Sequence, residues 1–381
     1  MRKSIILEVL ILSLSLSCLI YVPPEENLTS KREEIRFYPE TYIAGEITFG
    51  YIYDYLSSFG FWINYSPFGY VWVPKGVNAR WHPYIHGRWV WTDYGWTWAS
   101  AYSWGWLPFH YGRWGWDVHL GWFWVPDVDW APAWVIWRFN DIYLGWAPVP
   151  PDIPFRPGHG FEWRNRHVDY HLWIFIEGRH FHENRLANWV IPRERNRSLI
   201  NFTVLVDRVS LRNNIIINDG LNPQQIERIT GRPVTRVKIK EIKQPAGQQR
   251  VNQNEVRIYR PVIKKEAVSP KTMISREEAV QKSTSDRLKQ DLNSLETYHR
   301  REQALLEKTQ KMEIDRLRNQ AEKEIKVTTP QEKQNKLNEF QVRVEQLKQQ
   351  HQEEKQELLQ RQAKEKQTIR PENIKRKDER Q

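Results

Sequence analysis

The chain has 381 residues, a formal net charge of +11 and a single cysteine, and at this length two or three domains are expected. The charge is unevenly spread: residues 46–192 carry ten Lys and Arg against twelve Asp and Glu, whereas residues 193–270 carry sixteen against seven. Because the first of these regions is close to neutral, its charge argues against a nucleic-acid partner. The lone cysteine excludes an intrachain disulfide.

Residues 1–18 have the pattern of an export signal, in which two basic residues precede an apolar run that ends just before Cys18. A cysteine in this place resembles the lipidation site of a bacterial lipoprotein, and the lipid would anchor the chain to a membrane. Ordinary cleavage and an uncleaved anchor also fit, because Glu8 interrupts the apolar run. All three interpretations predict an exported protein of the cell envelope, periplasmic or associated with the outer membrane, with residues 19–45 as a polar tether.

The next region, residues 46–192, is dominated by tryptophan. Seventeen of the 20 tryptophans lie in the stretch from Trp62 to Trp146. Two segments repeat a pattern of paired tryptophans: HGRWVWTDYGWTWA from His86 and YGRWGWDVHLGWFWVP from Tyr111. Tryptophans two residues apart lie on one face of a strand, and the Gly-containing segments between the pairs are typical of turns. Each segment therefore predicts a β-hairpin with tryptophans paired across its strands.

Weaker copies of the hairpin pattern flank these two. Four glycines are predicted to close the turns, and they recur at nearly equal intervals along the chain: Gly69, Gly95, Gly121 and Gly145. A regular period of this kind indicates a repeated unit, here one hairpin per repeat. We expect a mainly β domain of four antiparallel hairpins, with seven or eight strands that close into a small barrel or a sandwich.

The motifs of this region resemble a known family. The runs YDYLSSFGFW, YVWVP, HGRWVWTDYGWTW, WGWLPFHYGRW, GWFWVP, WAPAWVIWR and YLGWAPVPP are similar to the bacterial domain-of-unknown-function family numbered 6600. Two later runs, NWVIPRERN and IIINDGLNPQQIERITGRPV, extend the resemblance to about residues 45–243. The resemblance implies an exported, often lipid-anchored envelope protein with no known activity, and it transfers no catalytic residue.

The tryptophans have two alternative roles, as a hydrophobic core or as an exposed platform for a ligand. Short strands with few aliphatic residues need most of their tryptophans buried to offset the entropy of ordering the chain. A minority that stayed exposed would suit sugar rings, with Arg88, Asp93, His110 and Arg113 close by in the sequence. The candidate ligand platform consists of Trp89, Trp91, Trp96, Trp98, Trp114, Trp116, Trp122 and Trp124.

Five histidines cluster between His159 and His182, and the spacing of His167 and His171 on a helix, or of His180 and His182 on a strand, suits a metal ion. No cysteine or well-spaced carboxylate joins them, so we expect no metal site and no cofactor.

Residues 193–243 are basic and are predicted to form a small β-α-β piece. The helix begins with Asn222 as N-cap and Pro223 at the first position, and Gly231 follows its end. The basic surface has two interpretations: it is simply solvated, or it contacts anionic envelope material such as lipid headgroups, teichoic-type polymers or lipopolysaccharide. Residues 244–272 are expected to be a linker.

Two capping boxes predict long helices in residues 273–369, the first from Ser275 to about Ile325 and the second from Thr329 to about Thr368. A heptad over Leu337–Leu358 is half polar, because His351 and Glu354 occupy seam positions. Both a self-associating coiled coil and an antiparallel hairpin fit this pattern. Residues 370–381 are predicted to be disordered.

The sequence favours a non-catalytic structural or interaction protein of the envelope. It contains no nucleophile elbow, phosphate loop or zinc motif, and Asp127 and Asp129 are a carboxylate pair without an evident partner. Two alternatives remain: a glycan- or peptidoglycan-binding module that uses exposed tryptophans, and a cell-wall hydrolase. Expected partners are a membrane, peptidoglycan or another anionic polymer, and a second copy through the C-terminal helices.

Overall fold

The computed structural model describes residues 45–156, 159–163, 167–212, 215–245, 247–249, 251–252, 254–291, 295–326 and 329–368. The signal with Cys18, most of the tether and the predicted C-terminal tail lie outside these described residues. Within them, no helix is both long and apolar enough to cross a bilayer.

The strands follow one another in this order: β1 (Glu46–Thr48), β2 (Gly60–Tyr65), β3 (Gly69–Pro74), β4 (Gly87–Thr92), β5 (Gly95–Ser100), β6 (Tyr111–Asp117), β7 (Gly121–Trp130), β8 (Val135–Phe139), β9 (Tyr143–Pro148), β10 (Phe155–Arg156), β11 (Gly160–Phe161), β12 (Ile174–Glu177), β13 (Val204–Val206), β14 (Val209–Arg212), β15 (Ile215–Asn218), β16 (Lys238–Ile242), β17 (Glu255–Tyr259) and β18 (Val262–Lys264). The helices are α1 (Phe49–Ser57), α2 (Asn196–Phe202), α3 (Pro223–Thr230), α4 (Arg276–Asp291), α5 (Leu295–Lys326) and α6 (Pro330–Thr368).

The eight strands β2–β9 form four consecutive antiparallel hairpins, which confirms the repeat. Tryptophans face each other across the strands as predicted: Trp89 opposes Trp98, and Trp114 opposes Trp124. Gly69, Gly95 and Gly121 each begin the second strand of a hairpin. Their backbone is in the left-handed region, with φ of +74°, +79° and +84°. The prediction for Gly145 was wrong: it lies inside β9, where its missing side chain makes room for the ring of Phe175.

The hairpins assemble into open sheets, and none of the sheets formed by the described residues closes into a barrel. The first and third hairpins share one sheet, in the order β2-β3-β7-β6. The second joins β14-β15-β5-β4, and the fourth joins β12-β9-β8-β13. The barrel expectation fails because the second and fourth hairpins pair with strands from later in the chain instead of with one another.

Strands β13, β14 and β15, which follow residue 200, therefore belong to the sheets of the tryptophan region. Helix α3 has the predicted capping box, with Asn222 and Gln225 exchanging hydrogen bonds, and Gly231 in the left-handed conformation. The strands on its two sides do not form one β-α-β unit, since β15 pairs with β5 and β16 pairs with β17. Residues 244–272, expected as a linker, contain β17 and β18, and β18 pairs in parallel with β1.

Tryptophan forms the core of this region. Sixteen of the 20 tryptophans are buried, and the largest fully buried side chains include Trp62, Trp72, Trp98, Trp124 and Trp146. Nine of the buried indoles donate an N–H to a backbone carbonyl or a polar side chain. Each such bond lets the large ring be buried without leaving its N–H unsatisfied.

The C-terminal helices fold back as a hairpin. Helices α5 and α6 run antiparallel, with His299 bonded to Glu365 near one end and Lys336 close to Glu324 near the other. This arrangement is the second of the two alternatives that the heptad allowed. One side of the hairpin packs on the β region through residues 193–195.

Candidate functional site

The eight tryptophans of the candidate platform occupy different environments. Trp89, Trp96, Trp98, Trp114, Trp122 and Trp124 are 8% exposed or less, so their ring faces pack inside the protein. Trp91 is partly buried, and Trp116 is 38% exposed. Trp116 is therefore the member of the set that presents most of its ring to solvent.

Trp116 lies at the edge of a cleft of about 800 Å³ between the β region and the helices. One wall comes from the tip of the β6–β7 hairpin and from residues 170–174. Helices α4, α5 and the end of α6 also line the cleft, and residues 77–86 and 187–194 complete the lining. Pockets for small ligands have volumes of about 300–1,000 Å³, so this cleft is in the range of a binding site.

The wall on the β side is aromatic. The ring of Trp116 lies 6.4 Å from that of His171, which in turn contacts the ring of Tyr170 at 3.7 Å, measured between centroids. Behind them, Trp122 is held edge-on against His82 at 4.3 Å. The strand pairing of Trp116 with Trp122 places these two rings side by side at the tip of the hairpin, one exposed and one anchored.

The helix wall is charged, and most of its carboxylates are neutralised by one arginine. Arg361 contacts Glu194 at 2.7 Å, Glu302 at 2.9 Å and Glu365 at 2.9 Å. Burial by itself lowers the pKa of Arg361, but the three carboxylates raise it well above the usual range. Burial raises the pKa of Glu365, yet Arg361, His299 and Arg80 outweigh burial and bring it below its ordinary value.

The lining as a whole is positive, with six Arg or Lys side chains against four carboxylates. Three of those carboxylates are the partners of Arg361 and are 18% exposed or less, whereas the side chain of Arg193 is 51% exposed. The exposed charged side chains of the lining are Arg193 and Lys364 on the cationic side and Glu357 on the anionic side.

Beneath the cleft, a second network fixes the helices to the β region. The guanidinium of Arg195 is fully buried, bonds both oxygens of Glu354 at 3.0 and 2.9 Å, and also contacts Glu313. His351 bonds Glu313 at 3.0 Å. Burial raises the pKa of Glu313, but the hydrogen bond from His351 and the charge of Arg195 outweigh it and lower the pKa below its ordinary value.

The other candidates from the sequence lie apart from the cleft or in structural roles. Arg113 stacks on Trp134 at 3.3 Å, His110 is buried against Gln249, Arg88 donates to the carbonyl of Val251, and Asp93 pairs with Arg236. These four side chains are thus engaged inside the fold or with neighbouring segments.

The carboxylates of β7 are not an isolated pair. Asp127 contacts Lys265 at 3.2 Å. Burial and the charge of Asp127 raise the pKa of Asp129, while Arg113 and Lys265 oppose this shift.

The clustered histidines take a different local structure from the predicted one. Residues 170–172 and 178–180 form short 3-10 turns, so neither the helix face nor the strand face exists. The ring of His180 stacks on Trp189 at 3.6 Å. In the part of the chain that the structure describes, no three His, Cys, Asp or Glu side chains are grouped as a metal site.

Sequence reasoning missed Arg195 and Arg361, which organise both networks. The available signal was the half-polar heptad, because His351 and Glu354 occupy seam positions and both are buried. Arg195, which bonds Glu354, lies far earlier in the chain, and its distance in sequence concealed it.

Residues 53–153 match the family of unknown function DUF6600. This match confirms the resemblance and covers all four hairpins of the DUF6600 region, but neither of the two later runs. No curated protein and no solved structure matches the chain.

Proposed function

We propose that this DUF6600 protein is an exported, lipid-anchored and non-catalytic protein of the bacterial envelope that holds a partner between its β region and its helical hairpin. The observation that carries the proposal is the buried contact of Arg195 with Glu313 and Glu354, which joins the two parts. A rigid connection is what a protein needs if both walls of its cleft are to contact one partner.

The energetics of that contact support a fixed geometry. Removing one partner of a buried ion pair typically costs about 3–5 kcal/mol, because the remaining charge is left buried alone. A second such contact, between Arg361 and three carboxylates, lies in the same interface. The helices are thus attached at two points, and rotation about either one would break the other.

The proposal that the protein is non-catalytic rests on the carboxylates of the cleft that are held in ion pairs with Arg361. A general acid needs a pKa near the working pH. The pKa of Glu365 is shifted downward, away from that range, and Glu194 and Glu302 are bound to Arg361. These groups serve as structural anions.

The anchor is tested by metabolic labelling with an alkyne fatty acid, followed by membrane fractionation. We expect the natural chain to be labelled and to sediment with membranes, and Cys18→Ala to lose the label. Ser13→Ala is the matched control within the signal and should keep it. Labelling that persists in Cys18→Ala would refute the lipidation.

We also propose that two copies of the chain associate as a coiled coil through the outer face of the helical hairpin. Val342 and Leu359 of α6 are 56% and 44% exposed, so they offer apolar surface to a second copy. Sedimentation equilibrium of the natural chain and of Val342→Lys measures this directly. A monomer at every concentration contradicts it.

A further inference from the structure

We propose that the cleft binds an acidic glycan, a strand of sugar rings that carry free carboxylates, such as a peptidoglycan strand whose muramic acid residues have lost their stem peptides. The inference rests on the proposed export, which brings the cleft into the compartment of the cell wall. It names the class of ligand for that same cleft.

The aromatic wall selects for sugar rings. A sugar has an apolar face of C–H groups that packs on a flat aromatic ring, and tryptophan offers the largest such ring. Trp116 is 38% exposed in the lining, and the ring of His171 lies next to it. The ring of Tyr170 also lines the cleft but is contacted by His171 and by the guanidinium of Arg197, so Trp116 is the main stacking surface.

The charge selects for an acidic strand. The lining carries six cationic side chains against four carboxylates, three of which are bound to Arg361. Arg193 is 51% exposed, and the carboxylate of Glu194 lies 3.8 Å away and is shared with Arg361. The guanidinium of Arg193 is therefore available for a carboxylate of the ligand, to which it offers a planar set of donors.

The concave shape distinguishes a glycan strand from a membrane. A bilayer presents a broad surface to a basic protein face, whereas this cleft lies between two walls of the protein. A concave cleft therefore favours a single polymer strand over a flat bilayer.

The test is isothermal titration calorimetry of the purified full chain in detergent, with two tetrasaccharides of equal length. One alternates N-acetylglucosamine with N-acetylmuramic acid, and the other is neutral chitotetraose. We expect the acidic tetrasaccharide to bind about ten-fold more tightly and to weaken as salt is raised, because its carboxylates meet the cationic lining.

Two variants with matched controls locate the binding. Trp116→Ala should weaken both sugars about ten-fold through the lost stacking, and Phe202→Ala, 51% exposed on α2 outside the cleft, should not. Arg193→Gln should weaken the acidic sugar alone, by about three-fold. Arg257→Gln, at 52% exposure and with a similar nearby glutamate, is its control.

The proposal is overturned if the protein binds neither sugar. It is also overturned if Trp116→Ala and Phe202→Ala lose the same amount of affinity. Equal affinity for both sugars overturns its acidic part. Binding to phosphatidylglycerol vesicles without binding to either sugar assigns the charge to a membrane and also overturns it. None of these results depends on the lipid at Cys18, so they are distinguishable from a failure of the anchor test.

Discussion

Two interfaces hold this protein together, and they use opposite chemistry. Inside the β region, tryptophan packs on tryptophan, as where Trp89 contacts Trp137 at 4.6 Å between ring centroids. Between the β region and helices α5 and α6, the contact is ionic, with Arg195 fully buried among carboxylates. Helix α4 instead packs Ala279 on apolar side chains of β2, β3 and β7. The first interface derives its free energy from apolar area, and the second uses charge to define one orientation of the helices.

The difference teaches where tolerance to substitution should lie. Apolar burial is non-directional, and a hydrophobic replacement of similar volume retains most of its contribution. A buried ion pair gains little net free energy, but it strongly penalises any arrangement that separates its partners. The stability of the tryptophan core should therefore depend mainly on the volume of the substituted side chain, and that of the helix interface on its charge.

The largest expected effect is in the core. Trp124 is fully buried, pairs with Trp114, and joins β7 to β3 opposite Trp72. Trp124→Ala should lower the free energy of unfolding by about 4 kcal/mol, because it leaves a large cavity. Urea denaturation measures this, and Trp124→Phe should recover part of the loss. A loss no greater than that of Trp116→Ala would contradict the assignment of Trp124 to the core.

The charge of Arg195 gives the next largest effect. Arg195→Met keeps much of the length of the side chain but leaves Glu313 and Glu354 buried without their partner, at a cost of about 3 kcal/mol. Hydrogen exchange should show faster opening of α5 and α6, with the hairpins less affected. Adding Glu313→Gln and Glu354→Gln should restore part of the stability.

The matched control for Arg195 is Arg318→Met, since Arg318 is a 60% exposed arginine of α5. It should cost little, because surface ion pairs contribute about 0–1 kcal/mol. Similar losses at the two positions would mean that the buried network does not orient the helices.

Substitutions at two glycines distinguish the stability cost of strain in a turn from the cost of losing a contact between strands. Gly69 and Gly95 have nearly the same φ, but a Cβ at Gly69 meets nothing within 4 Å, whereas one at Gly95 would clash with the carbonyl oxygen of Asn218. Gly69→Ala should cost about 1 kcal/mol from backbone strain alone. Gly95→Ala should cost about 2 kcal/mol more, because it separates β5 from β15. Equal thermal destabilisation would show that this strand contact is unimportant.

The last expected effect depends on pH. Burial lowers the pKa of His86 to about 4, from an ordinary value of 6.5. As the pH falls from 6.5 to about 4, the unfolded chain takes up a proton that the native protein does not. The free energy of unfolding should then decrease by up to about 1.4 kcal/mol per pH unit for this group.

His86→Gln should make that slope shallower without abolishing it, because burial also lowers the pKa of His82 to about 4. A substitution of the exposed His119 is the control. Urea denaturation at several pH values across this acidic range provides the measurement. An unchanged slope in His86→Gln would contradict the burial of this ring.

Local features of the fold were predictable, and long-range ones were not. The period of two and the turn residues predicted the hairpins, because strand faces and tight turns depend on neighbours in the sequence. Gly145 failed, since spacing alone does not distinguish a turn glycine from one that makes room for Phe175. For the site, the exposure of Trp116 against the burial of Trp124 was not predictable, although both belong to the same repeated pattern.

The sequence by itself determined the hairpins, the dominance of tryptophan in the core and the helical character of the C-terminal region, because each is encoded by spacing over a few residues. The first predicted helix is described as α4 and α5 instead of one element. The tertiary structure alone decided how the sheets pair, that the helices fold back, and that a cleft forms between them. The reason is physical: Arg195 and Glu354 are 159 residues apart, and only the folded chain brings their charges together. A half-polar heptad indicates that its polar seam residues need a charged partner, but it does not identify the residue that supplies the charge.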